Sequence, residues 1–437
     1  MKKIVASVGL FAVGASGVQA ASITALTVEG AKPWSIAATL RGFYDDNINT
    51  APDGDFRKSS FGFEVSPSLG LNWSVEQTTM SLNYVYAFRY YDRKPNLNAD
   101  HYDQTHTFNA QLTHNFSERY VLAVSDSFVI GQEPDLLRTG ALLDAGFQRV
   151  PGDNIRNYGQ IKFNAQLSRL FGLELGYQNS YFNYADDAPT SVDLNTGGLI
   201  VSRSALLDRI EHYVHIDGRW TVQPETTAIL GYRYGQVDYT GNQIIGVESP
   251  VFYFSDARNQ RSHYGYVGVD HVFRPDLKGS VRVGAVYTDH YNEPGGDRTD
   301  IGPSAQASLQ YTYLPESYLE VGLTHDRNAT DLFSANNGNL TTDAESTAVY
   351  GTISHRIMPR LYGSVTGQFQ NSELSGGTLN NENERYYLVG LNVEYRFNPH
   401  LSAHVGYNYD KLDSDASTSG GRSFDRNRVY MGVTASY

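Results

Sequence analysis

The sequence predicts an all-β fold, a transmembrane antiparallel β-barrel of about 18 strands, and three observations carry that reading. Apolar and polar residues alternate along most of the 437-residue chain, the period at which one face of a strand is buried and the other wetted. Short turns alternate with long polar loops. Formal charges fall almost entirely on one parity of the alternation. A mean hydropathy of -0.41 and the lack of a long apolar run beyond the N-terminus exclude a helical membrane protein. A barrel is compatible with both, because only alternate residues face lipid. The 32 Tyr and 20 Phe against 4 Met further favour strand.

The opening stretch "MKKIVASVGLFAVGASGVQA" joins Lys2 and Lys3 to a short apolar core and then to small residues. That plan predicts a secretory signal peptide over residues 1–20, with a buried N-terminal helix as the alternative. Residues 21–33 then form a short periplasmic segment, too short for a plug domain, and 34–437 the barrel. No cysteine is present, which removes disulfides, thiolate metal sites and a lipid-bearing Cys at the cleavage site. The net charge of -13 becomes -15 without Lys2 and Lys3, and argues against a nucleic-acid partner.

The stretches "WTVQPETT", "HVFRPDLK", "YTYLPESY", "HRIMPRLY" and "YRFNPHLS" each place Pro between two alternating segments. Pro cannot donate to a strand ladder and belongs in the turn. "NWSVEQTTM", "HNFSERYV" and "SRLFGLEL" repeat the plan without Pro, giving eight short turns. Nine longer loops lie near residues 45–60, 92–101, 132–156, 185–207, 240–260, 292–302, 328–345, 371–384 and 411–425. Eight turns and nine loops separate eighteen strands, with both termini on the short-turn, periplasmic side. A propeller also has regular strands, but need not segregate its connections in this way.

In "TMSLNYVYAFRYY", Met80, Leu82, Tyr84, Tyr86, Phe88 and Tyr90 share the face assigned to lipid. Trp73, Phe116, Trp220, Tyr313 and Phe397 have the placing of an interfacial girdle. With the apolar parity outward, Arg41, Arg89, Lys162, Arg209, Arg219, Arg233, Arg282, Arg396 and Arg428 point inward. Glu64, Glu174, Glu211, Asp217, Glu320 and Glu394 join them as pore-lining candidates. Nine bases against six acids predict a mildly anion-favouring channel beneath loops rich in acid. Asp126 falls on the lipid parity, and the segment 262–273 reads either way, so a bulge or a register shift is expected at both.

The first long loop carries "FYDDNINTAPDGDF". Asp45, Asn47 and Asn49 have the spacing of the first ligands of a calcium loop, but Thr50 stands where the sharp turn requires Gly and no Glu occupies the twelfth position. Calcium and a solvated acidic turn are the alternatives. The pentad Tyr44-Asp45-Asp46-Asn47-Ile48 resembles the opening motif of the outer-membrane β-barrel porin family often found with exopolysaccharide and capsule genes. That resemblance implies an outer-membrane barrel with a transport or polysaccharide-export role, and it carries no catalytic residues. The twelve His are scattered, with no HExxH or GxSxG pattern, so neither an enzyme nor a cofactor is expected. The function expected is an outer-membrane channel for passive diffusion of small hydrophilic solutes. Polysaccharide export or surface assembly, and a non-conducting structural or adhesive barrel, are the alternatives. Loops 132–156 and 185–207 are the candidate gates. The expected partners are outer-membrane lipid, the barrel-assembly machinery and a small hydrophilic solute or polysaccharide. The closing "RVYMGVTASY" ends on Tyr437, as a strand pairing with the first would, and Tyr437 is a candidate assembly signal.

Overall fold

A computed structural model describes residues 32–55, 57–94, 101–132, 152–192, 199–296, 298–416 and 422–437. The signal-peptide expectation, all but the last two residues of the segment 21–33, and most of the loop from 132 to 156 lie outside the described residues. The chain begins with β1 (Trp34–Asp45), β2 (Ser60–Val75), β3 (Thr78–Tyr91), β4 (Tyr102–Ser117), β5 (Tyr120–Gly131), β6 (Asn154–Gln166) and β7 (Phe171–Tyr184). A loop hairpin of β8 (Ser191–Val192) and β9 (Leu199–Ile200) and the short α1 (Arg203–Leu207) lead to β10 (Arg209–Gln223) and β11 (Thr226–Tyr239). A second loop hairpin, β12 (Ile244–Glu248) and β13 (Val251–Phe254), precedes β14 (Gln260–Arg274), β15 (Leu277–His290), β16 (Arg298–Leu314) and β17 (Ser317–Ala329). A third, β18 (Ala335–Asn336) and β19 (Asn339–Leu340), precedes β20 (Asp343–Met358), β21 (Leu361–Ser375), β22 (Asn383–Asn398), β23 (Leu401–Ser414) and β24 (Phe424–Ser436).

Eighteen of these strands form one antiparallel sheet, and β1 pairs with both β2 and β24, so the sheet closes on itself. Closure pairs the strand edges that would otherwise leave backbone N–H and C=O groups unsatisfied in lipid, except along the loop-end lengths of β16 and β17. Eight tight turns stand at the end where the chain enters and leaves the barrel, and nine longer connections at the other. Strand number, connection order and the segregation of turns from loops follow the reading from sequence.

The outer face is apolar. Leu40, Leu69, Leu71, Val214, Ile216, Leu230, Val267, Val281, Val283, Val433 and Met431 are all exposed there, as a lipid-facing band requires. The girdle aromatics Trp73, Phe116, Trp220 and Phe397 are exposed on the same face. Histidines share this face. Tyr84 OH lies 3.0 Å from His106 Nδ1, Tyr177 OH 2.9 Å from His212 Nδ1, Tyr232 OH 2.7 Å from His263 Nδ1 and Tyr313 OH 3.0 Å from His355 Nδ1. Each ring thus keeps an apolar body and a satisfied polar tip, the combination an interface favours.

Two irregularities expected from sequence are resolved. No bulge relocates Asp126: it stays on the lipid parity of β5, and its two oxygens accept from Asn157 Nδ2 of β6 at 3.0 Å each. In β14 the register sets Tyr232 opposite Gly265 and Leu230 opposite Val267, so His263, Gly265, Val267, Val269 and His271 face outward and Tyr264, Tyr266 and Asp270 inward. Its pattern is ambiguous because aromatic rings occupy the inner face and a glycine the outer.

The pentad at residues 44–48 is a latch across the closing seam. Asp46 N donates to Asn427 O at 3.1 Å, and the Asp46 carboxylate accepts from Asn427 N at 2.7 Å and Asn427 Nδ2 at 2.8 Å. Arg57 joins Asp46 at 2.8 Å and Asp425 at 2.9 Å. Asn47, wholly buried, donates to Asp425 O at 2.9 Å. Asp46→Ala is expected to lower barrel stability by about 1–3 kcal/mol, since it strands donors of β24. A urea midpoint equal to that of the parent would refute this.

Candidate functional site

Strand register puts all fifteen pore-lining candidates on the inner-face parity, and order around the ring gathers most of them into two arrays on opposite walls. The first array spans β6 to β17. Lys162, Glu174, His215, Asp217, Arg233, Tyr264, Tyr266, Arg282, Gln306 and Asp326 line one pocket there. His215 Nε2 lies 3.3 Å and Arg219 Nη1 3.6 Å from the Glu174 carboxylate. Arg219 also reaches Asp270 at 2.7 Å, and Arg282 reaches the same carboxylate at 3.4 Å. Tyr266 donates to Asp217. Arg233 crosses from β11 to Asp326 of β17 at 2.7 Å and stacks on Tyr264 with its guanidinium 3.6 Å from the ring.

Glycines make this wall possible. A Cβ at Gly176 would sit 1.9 Å from the His215 ring, and one at Gly231 would sit 2.2 Å from the Tyr266 ring. Each ring therefore lies flat over a bare backbone on the neighbouring strand, which holds it against the wall and out of the lumen.

The second array spans β23, β24 and β1 to β3. Arg41 Nη1 donates to Glu64 at 3.2 Å and Nε approaches His404 Nε2 at 3.3 Å, while Arg89 grips the other Glu64 oxygen at 2.9 Å. Arg426 lies 3.0 Å and Arg428 3.7 Å from Asp410. The remaining candidates stand apart. Arg209 and Glu211 pair at 2.7 Å toward the loop end, and Arg396 and Glu394 pair at 3.2 Å toward the turn end. Glu320 is half-buried near Tyr318 and Tyr350.

Sequence reasoning missed Asp270, Asp326, Asp410 and Arg426. Asp270 was hidden by the ambiguity of β14. The others lie near the loop ends of their strands, where apolar alternation fades. They change the charge balance. In the first array Lys162, Arg219, Arg233 and Arg282 meet Glu174, Asp217, Asp270 and Asp326, so four positive charges face four negative ones. In the second, four arginines (Arg41, Arg89, Arg426 and Arg428) meet three carboxylates (Glu64, Asp410 and Asp45, which stands opposite Arg428), leaving an excess of one positive charge. The positive bias read from sequence is therefore confined to one wall.

The long loops knit together above the barrel. Ala205, Ile245, Tyr253, Ala257 and Leu340 form one small apolar core, and Leu332, Ala344, Leu374, Leu379 and Ala416 another. Arg258 is fully buried and donates to Leu206 O at 2.9 Å and to Thr330 O, tying three loops together. Arg422 bridges Asp331 and Glu384, each at 3.0 Å. Loop acids are thus drawn largely into pairs. The calcium-spaced oxygens are also committed: Asp45 Oδ1 accepts from Asn47 N at 2.9 Å, Asn47 Oδ1 from Ala51 N at 3.0 Å and Asn49 Oδ1 from Lys58 N at 3.2 Å. They build side-chain-capped turns, with Thr50 at a φ of 47°.

Asp208 anchors the candidate gate loop 185–207 to the wall. Its carboxylate accepts from Tyr184 N at 2.7 Å and Asn183 Nδ2 at 3.1 Å, and burial pushes it up to about 6 despite both bonds. The folded state then holds the proton more tightly than the unfolded one, so this corner is most stable at low pH and loses stability as pH rises from about 4 to 6, then levels off. Asp208→Asn is expected to stabilise the corner by about 1 kcal/mol at pH 7 and to abolish that step. The check is hydrogen exchange at the Tyr184 amide, where unchanged protection would refute it.

The family model described as Putative beta-barrel porin 2 matches residues 341–437, under a quarter of the chain, covering β20 to β24. The pentad at 44–48 lies outside that match. No curated protein matches. Among solved structures, the outer-membrane protein OpdK from Pseudomonas aeruginosa aligns at 12% identity and a TM-score of 0.44, over 92% of this chain and 99% of its own. OccK2 (OpdF) of the same organism, in complex with glucuronate, aligns at 13% and 0.42, over 92% and 98%. A point mutant of the ferric enterobactin receptor PfeA, also from Pseudomonas aeruginosa, aligns at 10% and 0.43, over 92% and 80%. The closed ring of strands and its apolar outer band make this chain an outer-membrane β-barrel.

Proposed function

We propose that this barrel is a passive outer-membrane channel for small hydrophilic solutes, with a mild preference for anions. The observation that carries the reading is the pair of opposed charged arrays on the inner wall, one balanced and one with an excess of one positive charge. An 18-stranded barrel is wide enough for an aqueous path. Among the described residues most inner-face charges are paired, within a strand or across to a neighbouring or facing one, so the wall is polar without holding any one ion tightly, as conduction requires. The loop from 185 to 207 supports a gating role, since α1 packs into the loop core. Residues 1–20 would act as the export signal, and lipid and the barrel-assembly machinery would be the partners in the envelope.

Reconstituted in a planar bilayer under a salt gradient, the channel is expected to show a small reversal potential of anion-selective sign, with flux of uncharged sugars. Clear cation selectivity would overturn the charge assignment, and absence of conductance would favour the structural or adhesive reading. Polysaccharide export remains the second reading. Loss of surface polysaccharide on deletion, without loss of solute uptake, would support it.

A further inference from the structure

The barrel wall does not close edge to edge at one place. β16 pairs with β17 only from Leu314 and Ser317 to Ala305 and His325. Beyond that point β16 continues against β15, up to Arg298 and His290, and β17 continues against β20, up to Ala329 and Asp343. The two free lengths part, and the first laps over the second. Arg298 and Asp300 of β16 and His290 of β15 are on the inner-face parity, whereas Arg327 of β17 and Asp343 and Glu345 of β20 are on the outer. They nonetheless touch: Asp300 Oδ2 is 3.5 Å from Arg327 Nη1, and a Cβ at Gly302 would come 3.4 Å from Glu345 Oε2. The inner face of the β15–β16 edge therefore covers the outer face of β17 and β20, which is why Asp343 has 0% side-chain exposure despite its outward parity.

His290 sits inside this lap with 0% side-chain exposure, and neither ring nitrogen makes a hydrogen bond. Its Nε2 is 3.4 Å from Asp300 Oδ2 and 3.4 Å from Asp343 Oδ2, and the three atoms lie within 4.8 Å of one another. Asp300 Oδ2 likewise makes no hydrogen bond. A direct imidazole–carboxylate hydrogen bond would close to about 2.7–2.9 Å. Around a tetrahedral zinc with bonds of about 2.0–2.1 Å, the ligand-to-ligand edge is about 3.4 Å.

The local charge has room for a dication. Glu293, Asp300, Asp343 and Glu345 supply four negative charges, and Arg298 and Arg327 supply two positive ones. Arg298 Nε and Arg327 Nη1 stand 3.3 and 3.5 Å from the Asp300 oxygen in question, but neither depends on it. Arg298 also donates to Asn339 at 2.7 Å and Thr342 at 2.6 Å, and Arg327 Nη1 to Asp343 Oδ1 at 3.1 Å, more distantly to its Oδ2 at 3.4 Å, and to Ser375 at 3.3 Å.

We propose that His290, Asp300 and Asp343 bind one divalent transition-metal ion of the zinc class, with water as the fourth ligand, and that this ion clasps the lapped seam of the barrel. The test is titration of the chelator-stripped, detergent-solubilised barrel with Co2+, whose visible spectrum distinguishes tetrahedral from octahedral coordination. About one tetrahedral Co2+ per chain is expected, displaced by Zn2+, absent in His290→Gln and in Asp300→Asn, and retained in the outer-face control His263→Gln. Heat-modifiable gel mobility shows whether each variant has folded. Asp300→Asn, at a site 28% exposed, serves as the second variant should His290→Gln fail to fold. Wild-type binding no greater than that of the folded variants, or an octahedral spectrum, would overturn the proposal and leave a protonated imidazole as the bridge between the two carboxylates.

Discussion

Replacing Arg233 with alanine is expected to raise single-channel conductance roughly twofold and to shift selectivity toward cations. Arg233 is the one contact in the first array that spans from β11 to β17, bypassing β14, β15 and β16, and its guanidinium lies between the Tyr264 and Tyr213 rings at 3.6 and 5.4 Å. Removing it takes away a long side chain that spans the pocket and leaves Asp326 without its cation, so the balanced wall becomes net negative. Breaking a buried pair can cost about 3–5 kcal/mol, but Asp326 keeps 14% side-chain exposure and can hydrate, so about 1–3 kcal/mol is expected. Arg233→Lys would keep the charge and lose the planar stack and fork, so its selectivity should stay near the parent value while conductance rises modestly. An alanine variant with unchanged conductance and reversal potential would show that the solute path does not pass this wall.

How much of this was legible in the sequence depends on the range of the physics involved. Period-two alternation is local, and lipid on one face with water on the other imposes it strand by strand, so β3 could be read residue by residue. Pro and other turn residues punctuate the chain at the periplasmic end for equally local reasons. β14 failed because two aromatic rings occupy its inner face, Tyr264 under the Arg233 guanidinium and Tyr266 over Gly231, which inverts the apparent polarity of the strand. The pairing of inner charges was out of reach. Arg233 and Asp326 are 93 residues apart, and only the order of strands around the ring brings them together. The same holds for the lapped seam, where parity, a sound guide elsewhere, puts Arg327 and Glu345 on the lipid face although a neighbouring edge covers them.

Deleting Tyr437 is expected to reduce the amount of folded barrel recovered from envelopes at least several-fold, and the reason divides into two separable parts. The first is structural. Tyr437 N donates to Ile36 O at 2.8 Å and Ile36 N to Tyr437 O at 3.1 Å, so the last residue completes the β1–β24 ladder. Two exposed backbone hydrogen bonds account for only about 1–3 kcal/mol, too little to unfold a closed eighteen-stranded barrel. The second part is the recognition we propose for the ring. The ring is 65% exposed on the outer face, centred 5.7 Å from Trp34 and 6.1 Å from His400, with Lys32 Nζ 3.5 Å from its centroid. An aromatic so placed suits the membrane interface, and the proposal is that the same ring is read before insertion. Tyr437→Ser keeps the ladder and removes the ring, and Tyr437→Phe keeps the ring without its hydroxyl. If the ring is read during assembly, serine should behave like the deletion and phenylalanine like the parent, while barrels that do form should unfold at similar denaturant concentrations in all cases. Serine assembling as well as the parent would confine Tyr437 to its backbone role in closing the barrel.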